Sequence, residues 1–310
     1  MSLLNKKGVL SLVMIACLLG GEGTAIYAGE VQENEVVIEE VSQEVNIDEA
    51  LVRINEAQAE IEDYEAVGIV LEPVAVENIG VINKAVGTYR VRKGDYLQVE
   101  EIKEVVTNKT YVLNKLLEAV DCYEVGVSCY EDLDIIGVND DNLQLVNQQV
   151  RGKGYTSIYK IQLEVDEINR ILDKINRGEA EAEEYEKIGV KVEGIAAENI
   201  DFINKRVSDK HMGVGQMLSA RQIRDIVYEE TQELERIFRH INEDCYMIHD
   251  LENIGITGVN NENYEAINRK VVGKGYTSID KLQSIVDEVN NSELEDINKK
   301  PETISRALEM

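Results

Sequence analysis

Residues 258–289, GVNNENYEAINRKVVGKGYTSIDKLQSIVDEV, return 121 residues earlier as residues 137–168, GVNDDNLQLVNQQVRGKGYTSIYKIQLEVDEI. Looser copies begin near Val76 (VENIGVINKAV) and Ala197 (AENIDFINKRV). A fixed internal period constrains a fold more than composition does, because each copy must bury its apolar face against its neighbours. Corresponding asparagines fall at Asn78, Asn142, Asn199 and Asn263, and again at Asn83, Asn147, Asn204 and Asn268. Both series step by 64, 57 and 64 residues. Units one and three therefore match best, as do two and four. The simplest history is duplication of a two-unit block.

Each unit reads as three helices. Helix A carries Leu51-x-x-Ile54-Asn55, Leu172-x-x-Ile175-Asn176 or Phe238-x-x-Ile241-Asn242. A short link follows, marked by Gly68-Ile69, Gly189-Val190 or Gly255-Ile256. In unit one helix B places Ile79, Ile82 and Val86 on one face, at i, i+3 and i+7. Asn139 and Asn260 suit its N-cap in units two and four, since an Asn oxygen can accept the free N–H groups of a first turn. Gly152-Lys-Gly154 and Gly273-Lys-Gly275 end helix B there, glycine tolerating the left-handed backbone. Thr156-Ser157 and Thr277-Ser278 are capping residues for helix C, and Ser219-x-x-Gln222 fits a capping box.

The junctions predict shared helices. Ile158, Ile161, Val165, Ile168, Leu172 and Ile175 are spaced 3, 4, 3, 4 and 3 with no Gly or Pro between them. One continuous helix of roughly 30 Å is expected from about Ser157 to Asn176. Ile223, Val227, Leu234 and Ile241 suggest another, with Glu230 a polar interruption. The first junction is weaker, because Lys109 falls on the stripe between Val106 and Leu113. The expected fold is all-α, a tandem array of four three-helix bundle repeats joined by continuous helices. Its repeats cover residues 47–109, 110–168, 169–232 and 233–290. Shared helices would make the array a stiff rod stabilised partly by its neighbours.

Residues 1–28 read as a secretory signal peptide. Lys6 and Lys7 precede an apolar run from Val9 to Leu19, with small residues before a cut after Ala28. Cys17 gives only a weak lipoprotein box, because Met14 is a poor fit. Residues 29–46 form an acidic lead-in. The tail, 291–310, has no wall-sorting motif and no hydrophobic anchor, so a released chain or a truncated product is expected. No later stretch is long and apolar enough to span a membrane.

Charge narrows the partners. The chain has 310 residues, 32 basic and 60 acidic, for a net charge of −28. Such a surface repels phosphate backbones and anionic bilayers, which argues against nucleic acid and lipid partners. Aromatic residues are 5% of the chain, with no Trp, which suits several small aliphatic cores. Beyond the signal segment lie three cysteines. Either Cys122 and Cys129 pair and leave Cys245 free, or all three pack independently.

Ile254-Gly255-Ile256, Asn263-Tyr264, Ile267-Asn268, Thr277 and Leu282-x-x-Ile285 follow one another in unit four. This series resembles the GA (albumin-binding) module and the GA-like domains of bacterial surface proteins. The resemblance covers about residues 47–290 in four copies, best in units two and four. It implies three-helix bundles, surface display or secretion, and in some members albumin binding through helix B and the start of helix C. The chain departs from the compact module in a longer link between helices B and C, at Gly87 to Tyr96 and Ser208 to Met217.

The loops Lys153-Gly154-Tyr155 and Lys274-Gly275-Tyr276, with Tyr264, are the binding candidates, since an aromatic beside a cation is typical of interfaces. Against this, each loop tyrosine can fold back to close its own bundle. The paired asparagines read as structural, fixing the links by side-chain to backbone bonds. His240, Cys245 and His249 cluster once and do not recur, so no metal site is assigned. Asn139-Asp140-Asp141-Asn142 lacks the glycine and terminal Glu of a calcium loop. No nucleophile elbow, phosphate loop or dinucleotide fingerprint is present, so no catalytic residue and no cofactor is expected and the chain reads as a non-enzyme. The expected function is non-catalytic protein binding by a secreted or extracellular, cell-surface associated array, with a host protein such as albumin as ligand. The alternative is a stalk or spacer with no specific ligand.

Overall fold

The structure is a computed structural model, and it describes residues 46–292. The signal peptide, almost all of the acidic lead-in and the tail beyond residue 292 lie outside the described residues. Those described are all-helical, with no strand. In chain order the helices are α1 (Ile47–Asn55), α2 (Ile61–Ala66), α3 (Pro73–Glu77), α4 (Ile79–Lys93) and α5 (Val99–Cys122). Then come α6 (Val127–Asp132), α7 (Leu143–Val150), α8 (Ile158–Asn176), α9 (Ala182–Lys187) and α10 (Ile195–Glu198). The last are α11 (Ile200–Val214), α12 (Ala220–Asn242), α13 (Ile248–Asn253), α14 (Tyr264–Val271) and α15, which begins at residue 279 and continues through 292.

The junction helices are unbroken. Helix α8 buries Ile158, Ile161, Val165, Ile168, Leu172 and Ile175, the six residues whose spacing predicts it. Helix α12 buries Ile223, Val227, Leu234 and Ile241 and begins with the Ser219–Gln222 capping box. Helix α5 is also continuous, against the weakness expected from Lys109. Its core stripe passes through Thr110, which is 3% exposed, while Lys109 sits half-buried at the edge. One apolar cluster runs from Ile54 to Val289 through all three junction helices.

The links differ from expectation. After each helix A comes a six-residue helix (α2, α6, α9, α13), ahead of the glycine turn in three cases and of Asp134, with φ of +59°, after α6. The long link between helices B and C, expected from Gly87 to Tyr96 and from Ser208 to Met217, is mostly helix. Helix α4 continues through Gly87 to Lys93, and α11 through Ser208 to Val214. Gly87 does not stop α4; it allows a close approach. A Cβ there would lie 2.9 Å from the Ala57 Cβ, inside contact distance.

Capping also differs. Asn139 does not cap α7 directly. Its Oδ1 accepts from the N–H groups of Asp141 and Asn142, closing a turn before the helix starts at Leu143. Asn260 does the same for Glu262 and Asn263. Ser157 makes no side-chain cap to α8. That cap comes from far along the chain: Asn78 Oδ1 accepts from the Ile158 N–H at 2.8 Å. Asn78 Nδ2 donates to the Thr156 carbonyl at 2.8 Å and to Val74 O at 2.7 Å. Asn199 repeats this on α15, accepting from Ile279 N–H at 2.8 Å and donating to Thr277 O at 2.8 Å. A buried amide with both ends satisfied fixes two segments at once.

Candidate interaction surfaces

The recurring polar residues are consumed by the frame. Asn55 at the end of α1 exchanges bonds with the backbone of Leu97, and Asn176 does so with Leu218. At the corresponding places Asp121 and Asn242 accept from the N–H groups of Gly154 and Gly275, at 2.7 and 2.6 Å. These bonds hold the glycine loops, whose Gly154 and Gly275 have φ of +63° and +70°. Asn83, Asn147 and Asn204 each accept from a buried tyrosine hydroxyl, that of Tyr64, Tyr130 or Tyr185. Burial raises the pKa of these phenols, Tyr130 to about 12. Asn142 and Asn263 instead pair with Asn169 and Asn290 and with the carbonyls of Gly137 and Gly258.

Asn268 breaks the third of these patterns. Leu251 stands where the tyrosine is found in the other three cases, and Tyr246 stands where Val125 is found. Asn268 Oδ1 and the Tyr246 hydroxyl are both buried without a hydrogen-bond partner. Tyr264 donates its hydroxyl to the Tyr246 carbonyl at 2.9 Å, and the two rings lie 5.4 Å apart. Tyr264 is therefore half-buried and engaged in packing.

The other four binding candidates lie on the two glycine loops. Lys153 and Lys274 are exposed, while Tyr155 and Tyr276 are half-buried and pack against the core. The Tyr155 hydroxyl donates to Glu164 Oε1 at 2.6 Å, and this bond to a carboxylate raises its pKa. Tyr155 thus folds back onto α8. Lys153 and Tyr155 precede α8, Lys274 and Tyr276 precede α15, and Tyr264 opens α14, so the five occupy three elements.

Three of the four six-residue helices, α2, α9 and α13, bring an acid to the end of the helix before them. Asp63 accepts from the Glu60 N–H and from Arg53, whose guanidinium holds the carboxyl below its usual range. Burial opposes ionisation of Glu184 and Asp250. Lys174 with the Glu181 N–H, and Arg236 with the Met247 N–H, outweigh it and lower both. Cys129 takes the corresponding place in α6, its thiol pushed up by burial. Cys122, Cys129 and Cys245 are all free thiols. Cys245 donates its thiol to the His240 carbonyl, His240 lies beside Arg236, and His249 lies beside Asp250. Among the described residues no group of three or more His, Cys, Asp or Glu side chains could hold a metal ion.

Two surface clefts were not legible in the sequence. One, of about 370 Å³, lies between α11, the turn after α13 and the start of α15. The other, of about 570 Å³, lies between α4, α5 and α6. Phe202, Lys205, Arg206, Asp209 and Glu252 in the first correspond to Val81, Lys84, Ala85, Thr88 and Glu131 in the second, 121 residues apart. Lys84 bridges its cleft to Asp134 at 2.6 Å. Arg206 bridges the other to the Asn253 carbonyl at 2.6 Å and stacks on Phe202. Its Nε lies 3.2 Å from Glu230 Oε2, within ion-pair distance but without hydrogen-bond alignment. Burial raises the Glu230 pKa. No helix among the described residues is long and apolar enough to cross a membrane.

Comparison with known proteins finds no similar family model, no similar characterised protein and no similar solved structure.

Proposed function

We propose that residues 47–290 form four tandem three-helix units sharing their long helices, and that this array is a non-catalytic, secreted or surface-displayed protein-binding scaffold. One observation carries the reading. The side chains that recur are engaged in latches within the frame, while exposed residues on the same frame change character. Ile136, Tyr159 and Leu163 are exposed apolar residues, at 74%, 68% and 48%. Their counterparts 121 residues later are Thr257, Asp280 and Ser284. The backbones of Ile136 and Thr257 are nevertheless held alike, by Gln162 and Gln283. A constant frame with variable exposed faces suits recognition of other proteins. The GA resemblance makes albumin the first ligand to try.

The test is calorimetric titration of residues 29–310 into serum albumin. Saturable heat with a micromolar or tighter constant supports binding, and its loss in Lys274→Ala with Tyr276→Ala would place the site on the last glycine loop. No heat at high concentration removes albumin. The spacer reading then leads, because three junction helices and a common core are what a spacer requires.

A further inference from the structure

Helices α4 and α11 each run two turns past their last buried residue. In α4 that residue is Val86, and no side chain from 87 to 93 is buried; in α11 it is Val207, with none buried from 208 to 214. Helices α7 and α14 stop at theirs, Val150 and Val271. The seven extra residues are the difference between the 64- and 57-residue steps, and they add roughly 10 Å of helix. Beyond the close approach of Gly87 to Ala57, such an end has little packed face and leans on its cap, here Gly94 with φ of +80°, and on the pair between Lys93 and Glu101.

The α4 tip is apolar and cationic. Val91 is 70% exposed, Tyr89 48% and Tyr96 41%. Past Val86 helix α4 carries Arg90, Arg92 and Lys93 and no acid, in a chain of net charge −28. Lys93 pairs with Glu101 at 2.6 Å and Asp95 follows the cap, so Arg90 and Arg92 carry the positive character of the tip. Arg90 lies over the Tyr96 ring at 5.5 Å, holding the tip together. The cleft beside α11 has the opposite character. Five carboxylates (Glu198, Asp201, Asp209, Glu252 and Asp280) and two cations line it, around a floor that includes Phe202, Ile254 and Ile279. Glu198 is paired with Lys281 at 3.1 Å, and the other four carry the acidic character. The cleft beside α4 cannot play the same part, because Tyr89 and Arg92 of the tip themselves line it and its three cations, Arg92 included, balance its three acids. The chain therefore carries one cationic apolar knob and one acidic apolar cleft. The exposure of Val91 means the knob does not fill the cleft of its own chain.

We propose that the α4 tip of one copy docks in the acidic cleft beside α11 of a second copy, so that the chains associate head to tail. The contact is heterologous: once two copies have docked, the pair still has one free knob and one free cleft, so growth continues beyond a dimer unless a ring closes. Charge complementarity fixes the direction, since cationic knob meets acidic cleft and the balanced cleft is left out. Long-range repulsion between two chains of −28 opposes the encounter. It is screened beyond roughly 8 Å at physiological salt, whereas the close contact is screened much less, so association strengthens from low salt to physiological salt.

Sedimentation velocity on the full chain at physiological salt tests this. The expected result is a sedimentation coefficient that rises with protein concentration through a series of oligomers. Arg92→Glu and Asp209→Lys, both at exposed positions, should each abolish the rise. Mixing the two variants should restore the rise, because the intact tip of the Asp209→Lys chain meets the intact cleft of the Arg92→Glu chain, and the reversed tip and reversed cleft are again of opposite charge. Far-ultraviolet dichroism of each variant checks its helix content. A native chain that stays monomeric at millimolar concentration overturns the proposal. So does association that both variants leave unchanged, or a mixture of the two that stays monomeric.

Discussion

Gly87 on α4 faces Ala57, and Ser208, its counterpart on α11, faces Gly178. The larger residue sits on the helix in one case and on the turn in the other. Ala57 holds a φ of +60°, unfavourable for a residue with a Cβ, while Gly178 adopts +74° freely. Gly87→Ser should therefore clash with Ala57 and cost about 1–3 kcal/mol. Ala57→Gly should recover that loss and, alone, leave stability unchanged or raised. Urea denaturation of the four-member cycle checks this, and additive effects would sink the pairing. Acid behaviour belongs to the same scale. Asp63, Glu184 and Asp250 all have pKa values lowered in the fold. Their stabilisation is complete above the ordinary carboxylate range near pH 4, and is lost as pH falls through the lower folded values. Glu230 has the opposite sign: its pKa is raised, so its contribution weakens as pH rises past the ordinary glutamate value. Asp63→Asn should cost about 1–3 kcal/mol at pH 7 and clearly less at pH 2, measured by denaturation at each pH. An equal loss at both would show that charge is not what Asp63 supplies.

Elements show where the sequence speaks and where it is silent. The 3, 4, 3, 4, 3 spacing in α8 is a local signal, and the helix follows it from Ile158 to Asn176. The six-residue helices carry no such signal, because they are shorter than the window over which a helical period can be read. Gly87 suggests a stop when its neighbour across the turn is unknown; with Ala57 in place it is a packing residue. The cap on α8 was equally out of reach, since Asn78 lies 80 residues from the Ile158 N–H it accepts. Among the candidate site residues, the lysines are exposed as a loop position suggests. Tyr155 is turned inward by Glu164, an acid on the following helix that no loop pattern announces. Asn78→Ala removes both bonds to the α8 start together with the bond to Val74. It should destabilise the chain by about 2–4 kcal/mol and speed hydrogen exchange in the first turns of α8. Unchanged exchange there would show that α8 does not depend on the distant cap.

At the scale of the whole molecule, the account rests on helices that belong to two units at once. Helices α5, α8 and α12 all contribute to one continuous cluster from Ile54 to Val289, and under the proposed reading each would lend one half to the unit before it and the other to the unit after. The 121-residue period made the duplication legible, but the latches from Asn78 to α8 and from Asn199 to α15 show how each two-unit block is tied. Arrays of this kind open in cooperative units whose size depends on the coupling between neighbours. The decisive measurement is native-state hydrogen exchange by mass spectrometry in increasing urea, comparing peptides before residue 157 with peptides after residue 177. The shared-helix account predicts that the slowest amides on both sides converge on one opening free energy and one urea dependence, that of global unfolding. Two separate limits, each with about half the urea dependence of the whole, would contradict it, because that dependence scales with the surface exposed.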